Sequence, residues 1–346
     1  MYQFFLNNNK FKKKAFKFST LTYLIFFSFL ARVITISIYG DTIVYNEWGT
    51  LLENLIHYQT YSFYIFQDKL VPSVYMPPLY PFLLYFLHIV SLGKINIVTE
   101  ILFLQTVLST ISVYIFYQIN NFFFSKKVSV VNAFIFSFFP LHLYSVGQTS
   151  SITLQIFLSL FFIKYMFFIS KNGTNKNLFI FSIICSLLLL TRGEFFLILG
   201  LSLVYILILR KINLLQFFKI LLITSIIISP YIIRNYIHFD EIVLVKSKGY
   251  NLWKGNNPET KVEGYFNKFE NFKNLQFQLE NLKQDKFYEI NRDNVFLKEA
   301  YKNISQNPHK YSELFFKKIL SLFFFNLNSS YPNYYSYLHI VPIFLV

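Results

Sequence analysis

Long runs of apolar residues, separated by short polar stretches, fill the first two thirds of the chain. About 20 such residues cross the hydrocarbon core of a bilayer, so the pattern predicts a series of membrane helices. The predicted spans are residues 18–39, 97–119, 128–143, 152–169, 178–190, 195–209 and 214–233. We therefore expect an all-α integral membrane protein, a polytopic helical bundle of about eight or more spans.

Two of the apolar runs allow a second interpretation. The run 18–39 is too long for a cleaved signal peptide and no small-residue cleavage site follows it, so we take it as the first membrane helix, with a secretory signal as the alternative. The run 79–91 is short for a span and follows the paired prolines of "VYMPPLYPF". We interpret it as an interfacial or re-entrant helix, because a true span there would turn three basic loops outward.

Composition and charge agree with a membrane protein. Hydrophobic residues make up 54% of the chain and charged residues 14%, whereas a soluble domain carries about 25% charged residues. A net charge of +15 also suits nucleic-acid binding, but the lysines stand where the positive-inside rule expects them. Five of them precede the first helix: Lys10, Lys12, Lys13, Lys14 and Lys17. We expect membrane lipids as partners and no nucleic acid.

The same charge pattern divides the chain into regions. Residues 1–17 form a basic cytoplasmic tail, and residues 18–233 form a transmembrane domain whose loop 40–77 carries interfacial helices on the outer face. Residues 234–312 form a long polar segment on that face, with an amphipathic helix that breaks at Pro308. Residues 313–346 form a carboxy-terminal membrane helix region, which we expect to be truncated because its last apolar stretch has barely begun.

Asp41 is the first candidate for chemistry. It stands just beyond the end of the predicted first helix, at the start of "GDTIVYNEW". A carboxylate whose backbone is held by the helix can reach water and a bound substrate, and it can act as a general base. The alternative is a solvated acid at a helix exit.

Three arginines stand in or beside predicted spans. Arg32 lies inside the first helix, where an unpaired charge is costly, so it either snorkels or makes a functional contact. Arg192 and Glu194 lie in the turn "TRGE", and Arg234 lies just beyond the span 214–233. The planar donors of Arg bind phosphate oxygens in pairs, which favours an anion site at Arg192. A boundary ion pair between Arg192 and Glu194 is the alternative.

The stretch "GYNLWKGNNPE" combines turn formers with aromatic residues. Its aromatic faces and amides are what a sugar or lipid-headgroup site needs, and interfacial anchoring is the alternative. No metal site is predicted, because the six His are scattered without a His-Glu-x-x-His pairing, and metal dependence is left open. The sequence also has no P-loop, Gly-x-Gly-x-x-Gly or Gly-x-Ser-x-Gly motif, so nucleotide-driven transport and serine hydrolysis lack support.

Taken together, these stretches resemble the C-type membrane glycosyltransferases, in the bacterial branch akin to protein O-mannosyltransferases and the aminoarabinose transferase of lipid A. The resemblance covers roughly residues 18–325. It rests on "GDTIVYNEWGTLLEN", "PPLYPFLLYFLHIVSLG", "FFPLHLYS" and "TRGEF". Its most specific part is "SPYIIRNYIHF" followed by "GYNLWKGNNPE".

The resemblance implies a plasma-membrane enzyme that moves a sugar from a polyprenyl-phosphate donor to a glycolipid, polysaccharide or protein acceptor at the outer face. It places the base at Asp41. The leaving phosphate needs positive charge, for which the candidates are Arg192, Arg234 and Lys248. A single displacement with one base inverts the anomeric carbon. The expected substrate-binding residues are Tyr45, Glu47, Tyr80, Glu194, Tyr250, Trp253, Asn256 and Asn257.

The sequence also departs from the family pattern. Many relatives have an acid where this chain has Ser150 or Ser151, and some have a Lys or Arg where it has Met76. One contact with the donor is therefore expected to be missing or moved. Two other functions remain open from the sequence: a transporter or flippase for lipid-linked sugars, and a non-catalytic membrane scaffold.

Overall fold

The computed structural model of the chain describes residues 19–44, 46–262, 264 and 268–323. Most of these residues are helical. The helices are α1 (Thr20–Tyr39), α2 (Asn46–Tyr58), α3 (Leu79–Val90), α4 (Ile97–Asn120), α5 (Lys126–Ser137), α6 (Pro140–Val146), α7 (Ile152–Lys171), α8 (Asn175–Thr191), α9 (Phe195–Ile208), α10 (Leu214–Phe239), α11 (Lys248–Gly255), α12 (Lys273–Glu280), α13 (Tyr288–Gln306) and α14 (Pro308–Phe323). The strands are β1 (Ser62–Phe66) and β2 (Lys69–Pro72).

Several helices have the length and composition of membrane spans. Among the described residues, α1, α4, α7 and α10 qualify, and the α5–α6 pair adds a fifth if it counts as one span. Large apolar side chains on α9 and α10 are exposed, as a lipid-facing surface requires. The chain is thus a helical membrane protein. The predicted number of about eight spans is not reached by this measure, because α3, α8 and α9 have only 12, 17 and 14 residues.

The predicted span over residues 128–143 corresponds to a bent pair of helices, and not to one straight helix. The structure divides this segment into α5 and α6, with an angle of 55° between them. Pro140 begins α6, where its missing N–H is not needed, but it cannot continue α5. The break lets α6 pack against α1 and α7.

The helices α1 and α4 pack antiparallel. Leu24 and Val113 share one apolar cluster, and further along the pair the Arg32 guanidinium donates to the Ser109 hydroxyl. The chain therefore leaves the bundle after α1 and returns at α4 on the same end, which we call the loop end. The intervening residues 40–96, including α3, do not carry the chain across, which agrees with an interfacial or re-entrant α3.

The helices α8 and α10 run parallel. The Gly173 carbonyl before α8 accepts from Gln216 near the start of α10, and the Ser182 carbonyl within α8 accepts from the Thr224 hydroxyl. Since α9 joins these two helices, it must carry the chain back across the bundle. Both α8 and α10 therefore end at the loop end.

A two-stranded antiparallel sheet corrects the all-α prediction. The strands β1 and β2 form a hairpin within the predicted outer loop 40–77. Its turn residues, Gln67 and Asp68, have φ of 49° and 58°. A two-residue hairpin turn needs this left-handed pair because its twist matches that of the strands.

The polar segment builds a small subdomain of its own at the loop end. Its core contains Trp253 of α11, Leu275 of α12, and Phe296 and Ala300 of α13. The helix α10 continues to Phe239, so the predicted boundary at residue 233 cuts through a helix. The predicted break at Pro308 is confirmed, since α13 ends and α14 begins there. Residues 1–17 and 324–346, predicted as a basic tail and part of a membrane helix region, lie outside the described residues.

Candidate active site

Asp41 is anchored through one carboxylate oxygen. Its Oδ2 accepts from the Thr149 backbone N–H at 2.6 Å and from the Thr149 hydroxyl at 2.9 Å. Its own N–H donates to the Gly147 carbonyl at 2.8 Å. Its Oδ1 accepts no hydrogen bond from a described residue, and the side chain is partly exposed. The carboxylate is therefore fixed in orientation while one oxygen stays available.

A buried glutamine supports the loop that holds Asp41. The Gln105 side chain of α4 donates to the carbonyls of Val146 at 3.0 Å and Gln148 at 2.9 Å. Its oxygen accepts from the Tyr80 hydroxyl at 3.4 Å. Three separate segments thus converge behind the carboxylate, which limits its motion.

Tyr80 was predicted to bind the substrate, but the structure buries it. Its ring is 1% exposed and packs edge-on against Trp48, with centroids 5.2 Å apart. Asp41 lies within electrostatic range of the Tyr80 hydroxyl. Buried in this way, Tyr80 has no free face for a sugar, and it instead fixes the wall next to Asp41.

Arg234 was predicted to bind the donor phosphate, but the structure engages it elsewhere. It lies within α10 and donates to the Ser73 carbonyl at 2.6 Å and the Tyr61 carbonyl at 3.2 Å. Tyr61 immediately precedes β1, and Ser73 immediately follows β2. The guanidinium is therefore engaged in clamping the ends of the hairpin, and a phosphate would have to displace these carbonyls.

Glu289 completes the clamp from α13. Its carboxylate accepts from the Ser73 hydroxyl at 2.8 Å and from the Val74 N–H at 2.6 Å. Burial raises the pKa of Glu289, while the hydrogen bonds from Val74 and Ser73 and the charge of Arg234 oppose that rise. The hairpin is thus pinned between a membrane helix and the polar subdomain.

The raised pKa of Glu289 predicts a pH-dependent stability. The folded protein holds this proton more tightly than the unfolded chain, so the contribution is full below about pH 4.5 and is lost as the pH rises through the folded pKa. Glu289→Gln lacks this titration. The free energy of unfolding of the wild type minus that of Glu289→Gln should therefore fall from pH 4.5 to pH 7, as followed by thermal melting in detergent.

The exposed Glu270 offers a control for this titration. Glu270→Gln should leave the pH profile of the melting temperature unchanged. If the free energy of unfolding of the wild type minus that of Glu289→Gln increased with pH, the result would contradict a raised pKa at Glu289.

Arg192 and Glu194 form an exposed ion pair. Arg192 Nη1 lies 3.5 Å from Glu194 Oε1, and the side chains are 39% and 61% exposed. A pair of this kind contributes about 0–1 kcal/mol, so it does not lock Arg192 in place. Gly193 in the same turn packs against Val245, near Lys248, whose side chain is exposed. Arg192 and Lys248 thus remain accessible cations of the loop end.

Trp253 is a core residue of the polar subdomain. It is fully buried among Phe269, Phe272 and Phe296, with ring centroids 5.7, 5.2 and 5.1 Å away. The prediction that it offers a face to a substrate is corrected by this packing. Only Tyr250 of the predicted aromatic pair is partly exposed.

The two asparagines of "GNNPE" hold the turn after α11. The Asn256 amide donates to the Leu252 carbonyl at 2.8 Å. The fully buried Asn257 donates to the Lys254 carbonyl and accepts from the Glu259 N–H. The burial of Asn257 corrects the prediction that it binds a substrate. Asn256 is partly exposed, so its substrate contact stays a prediction.

One other predicted residue lies at the start of α2. Glu47 lies in the first turn and is partly exposed. Tyr45 lies outside the described residues, so its predicted contact stays a prediction.

Arg32 is a buried residue of the bundle interior. It is 0% exposed and donates to Ser109 at 2.7 Å and to the Ser28 carbonyl at 3.0 Å. Of the two interpretations left open by the sequence, snorkelling is excluded by this placement. Its contacts join α1 to α4, while its Nη2 group is buried without a hydrogen-bond partner among the described residues.

Sequence reasoning missed four residues of this region. They are Thr149, Gln105, Glu289 and Arg292. The sequence indicates Glu289 and Arg292 only weakly. They lie one helical turn before Asp293 and Phe296 in an amphipathic pattern, so a contact within the helix could have been expected. Thr149 and Gln105 are common polar residues with no local signal, because their role depends on a loop from another part of the chain.

Comparison with models of known protein families and with curated proteins gives no match to this chain.

Proposed function

We propose that the chain is a membrane glycosyltransferase that moves a sugar from a polyprenyl-phosphate donor to a glycolipid, polysaccharide or protein acceptor, with inversion. The observation that carries the proposal is the Asp41 carboxylate, held by Thr149 through one oxygen with the other oxygen available. The resemblance of "SPYIIRNYIHF" and "GYNLWKGNNPE" to C-type enzymes supports the substrate class.

Asp41 is suited to remove a proton from an acceptor hydroxyl. A general base must reach that proton within hydrogen-bond distance, and the Asp41 Oδ1 has the freedom to do so. The attacking oxygen then forms a bond to the anomeric carbon while the bond to the donor phosphate breaks. One displacement of this kind inverts the configuration of that carbon.

The leaving group is a lipid phosphate, which departs as an anion and needs positive charge nearby. Arg192 and Lys248 are the accessible cations among those predicted for this role. Arg234 acts instead as a positioning residue, because its donors fix the hairpin.

The helix directions support a larger number of passes than length alone indicates. Because α8 and α10 run parallel, α9 adds a pass, and we infer seven passes within the described residues: α1, α4, the α5–α6 pair, α7, α8, α9 and α10. We place the loop end on the extracytoplasmic side of a bacterial plasma membrane, since short Lys and Arg clusters lie at the other end.

The test is sugar transfer by the purified protein from radiolabelled polyprenyl-phosphate sugars, with nucleotide sugars as control donors. We expect labelled product or free sugar from one lipid-linked donor only, with inverted anomeric configuration. Absence of bond cleavage with every lipid-linked donor would overturn the proposal. Movement of intact donor across proteoliposomes would then favour a transporter.

Thr149→Val should lower the transfer rate about tenfold. The substitution keeps the shape of the side chain but removes the hydroxyl that donates to Asp41 Oδ2, and a hydrogen bond to a charged group contributes roughly 1.5–3 kcal/mol. The expected loss is in kcat, with KM for the donor unchanged, because Thr149 positions the base without touching the donor.

Ser150→Ala is the matched control for this variant. The Ser150 hydroxyl is buried and has no hydrogen-bond partner among the described residues, so its removal should leave kcat unchanged. Equal rates for Thr149→Val and wild type would show that the Asp41 anchor does not affect catalysis.

A further inference from the structure

Arg292 on α13 has a guanidinium surrounded by aromatic rings. It lies 5.9, 5.4 and 5.1 Å from the ring centroids of Tyr75, Tyr250 and Phe296. The side chain is half-buried. Within the part of the chain that the structure describes, it makes no hydrogen bond and no ion pair. Its N–H donors are therefore available to a ligand.

Two other arginines near the site are already engaged: Arg32 donates to Ser28 and Ser109, and Arg234 donates to carbonyls beside the hairpin. Among the described residues, Arg192 makes only an exposed pair with Glu194 and has no aromatic rings packed around it. Arg292, by contrast, packs against aromatic rings while no described residue occupies its N–H donors, which suits an anion site.

Polar groups face Arg292 from three other elements. Burial raises the pKa of the Tyr75 hydroxyl, the charge of Glu47 raises it further, and the charge of Arg292 lowers it. Burial raises the pKa of Tyr64 as well, and Arg292 and Glu47 again act in opposite directions. The two tyrosine hydroxyls therefore lie within range of both a cation and a carboxylate.

The setting of Arg292 is rigid before any ligand binds. The Tyr250 N–H donates to the Asp293 carboxylate at 3.0 Å. A side chain at Gly249 would collide with the Asp293 carbonyl, so α11 and α13 approach closely. Phe296 packs on the buried Trp253 at 5.1 Å. Preorganisation of this kind lowers the entropic cost of binding.

We propose that Arg292, packed against the rings of Tyr75, Tyr250 and Phe296, binds the phosphate of a lipid carrier. A guanidinium stacked on aromatic faces keeps its in-plane N–H donors for two phosphate oxygens. The assignment of this lipid as the sugar donor rests on the proposed function.

The first turn of α2 connects this site with Asp41. The charge of Glu47 acts on the Tyr75 hydroxyl, and its neighbour Trp48 packs on Tyr80, whose hydroxyl lies within electrostatic range of Asp41. On the proposed function, the donor has its phosphate at Arg292 and its sugar toward Asp41.

The test measures binding without turnover. Radiolabelled polyprenyl phosphate without a sugar is equilibrated with the purified full chain in detergent, for wild type, Arg292→Gln, Arg292→Lys and the exposed Arg210→Gln as control. We expect Arg292→Gln to raise Kd roughly 30-fold, Arg292→Lys to raise it less, and Arg210→Gln to leave it unchanged. Neutral polyprenol should not compete.

Several outcomes would overturn the inference. A folded Arg292→Gln variant that binds polyprenyl phosphate with the wild-type Kd would rule out the phosphate site. If Arg292→Gln does not fold, the Kd of Arg292→Lys, which keeps the charge, is compared with the wild-type Kd in its place. Competition by phosphatidylglycerol as strong as that by polyprenyl phosphate would assign the phosphate to bulk lipid and overturn the donor assignment.

Binding and transfer separate the two proposals. Loss of binding in Arg292→Gln, with no transfer by wild type from any donor, supports the phosphate site and contradicts the glycosyltransferase. Transfer by Arg292→Gln with an unchanged KM for the donor supports the glycosyltransferase and contradicts the phosphate site.

Discussion

Asp41→Asn should lower the rate of sugar transfer roughly 10²- to 10⁴-fold while the protein stays folded. An amide oxygen can still accept from Thr149, so the local structure around residues 41 and 149 is retained. The amide cannot take a proton from an acceptor hydroxyl, so the chemical step fails. Initial rates with radiolabelled polyprenyl-phosphate sugars, together with the melting temperature in detergent, measure both effects.

Asp68→Asn is the matched control for the base. Asp68 is exposed in the hairpin turn at φ 58°, a conformation that Asn adopts readily, and it lies in the same outer loop. The rate of sugar transfer by Asp68→Asn should equal that of the wild type. Transfer by Asp41→Asn at the rate of Asp68→Asn would place the base on another residue.

The second large effect is on stability. Glu289→Ala leaves the Val74 N–H and the Ser73 hydroxyl without their buried acceptor and removes the carboxylate near Arg234. We expect a loss of about 3 kcal/mol or more. The melting temperature in detergent should fall by several degrees, and trypsin should cut faster at Lys69, because the hairpin is no longer pinned to α13.

Glu299 on the same helix provides the comparison. It pairs with Lys302 one turn away at 3.4 Å, so Glu299→Ala should cost about 0.5 kcal/mol or less. Glu289→Gln keeps an acceptor and should lose less than Glu289→Ala. Equal melting temperatures for Glu289→Ala and Glu299→Ala would show that the clamp does not stabilise the hairpin.

The geometry contradicts several of the substrate contacts that the resemblance implies. The stretch "GYNLWKGNNPE" was the most distinctive in the sequence, yet its Trp253 and Asn257 are fully buried. A subdomain core and a ligand site contain the same residue types, since both use aromatic rings and turn-forming amides. Tyr250 of this stretch is partly exposed and lies beside Arg292.

The sequence by itself determined the membrane helices. The bounds of α1, α4, α7 and the start of α10 agree with the apolar runs to within a few residues, because crossing a bilayer requires about 20 apolar residues in one continuous segment. Pro308 likewise marked a helix boundary, since proline acts through its own backbone.

Only the tertiary structure decided which polar groups meet. The Asp41 anchor joins residues 108 apart in the chain, and the bond from Ser73 to Glu289 joins residues 216 apart. No local pattern carries such pairings, because hydrogen bonds between distant segments depend on the packing of whole helices. The same reason explains why Arg234, accessible by its position in the sequence, is a clamp in the fold, and why no described residue occupies the donors of Arg292.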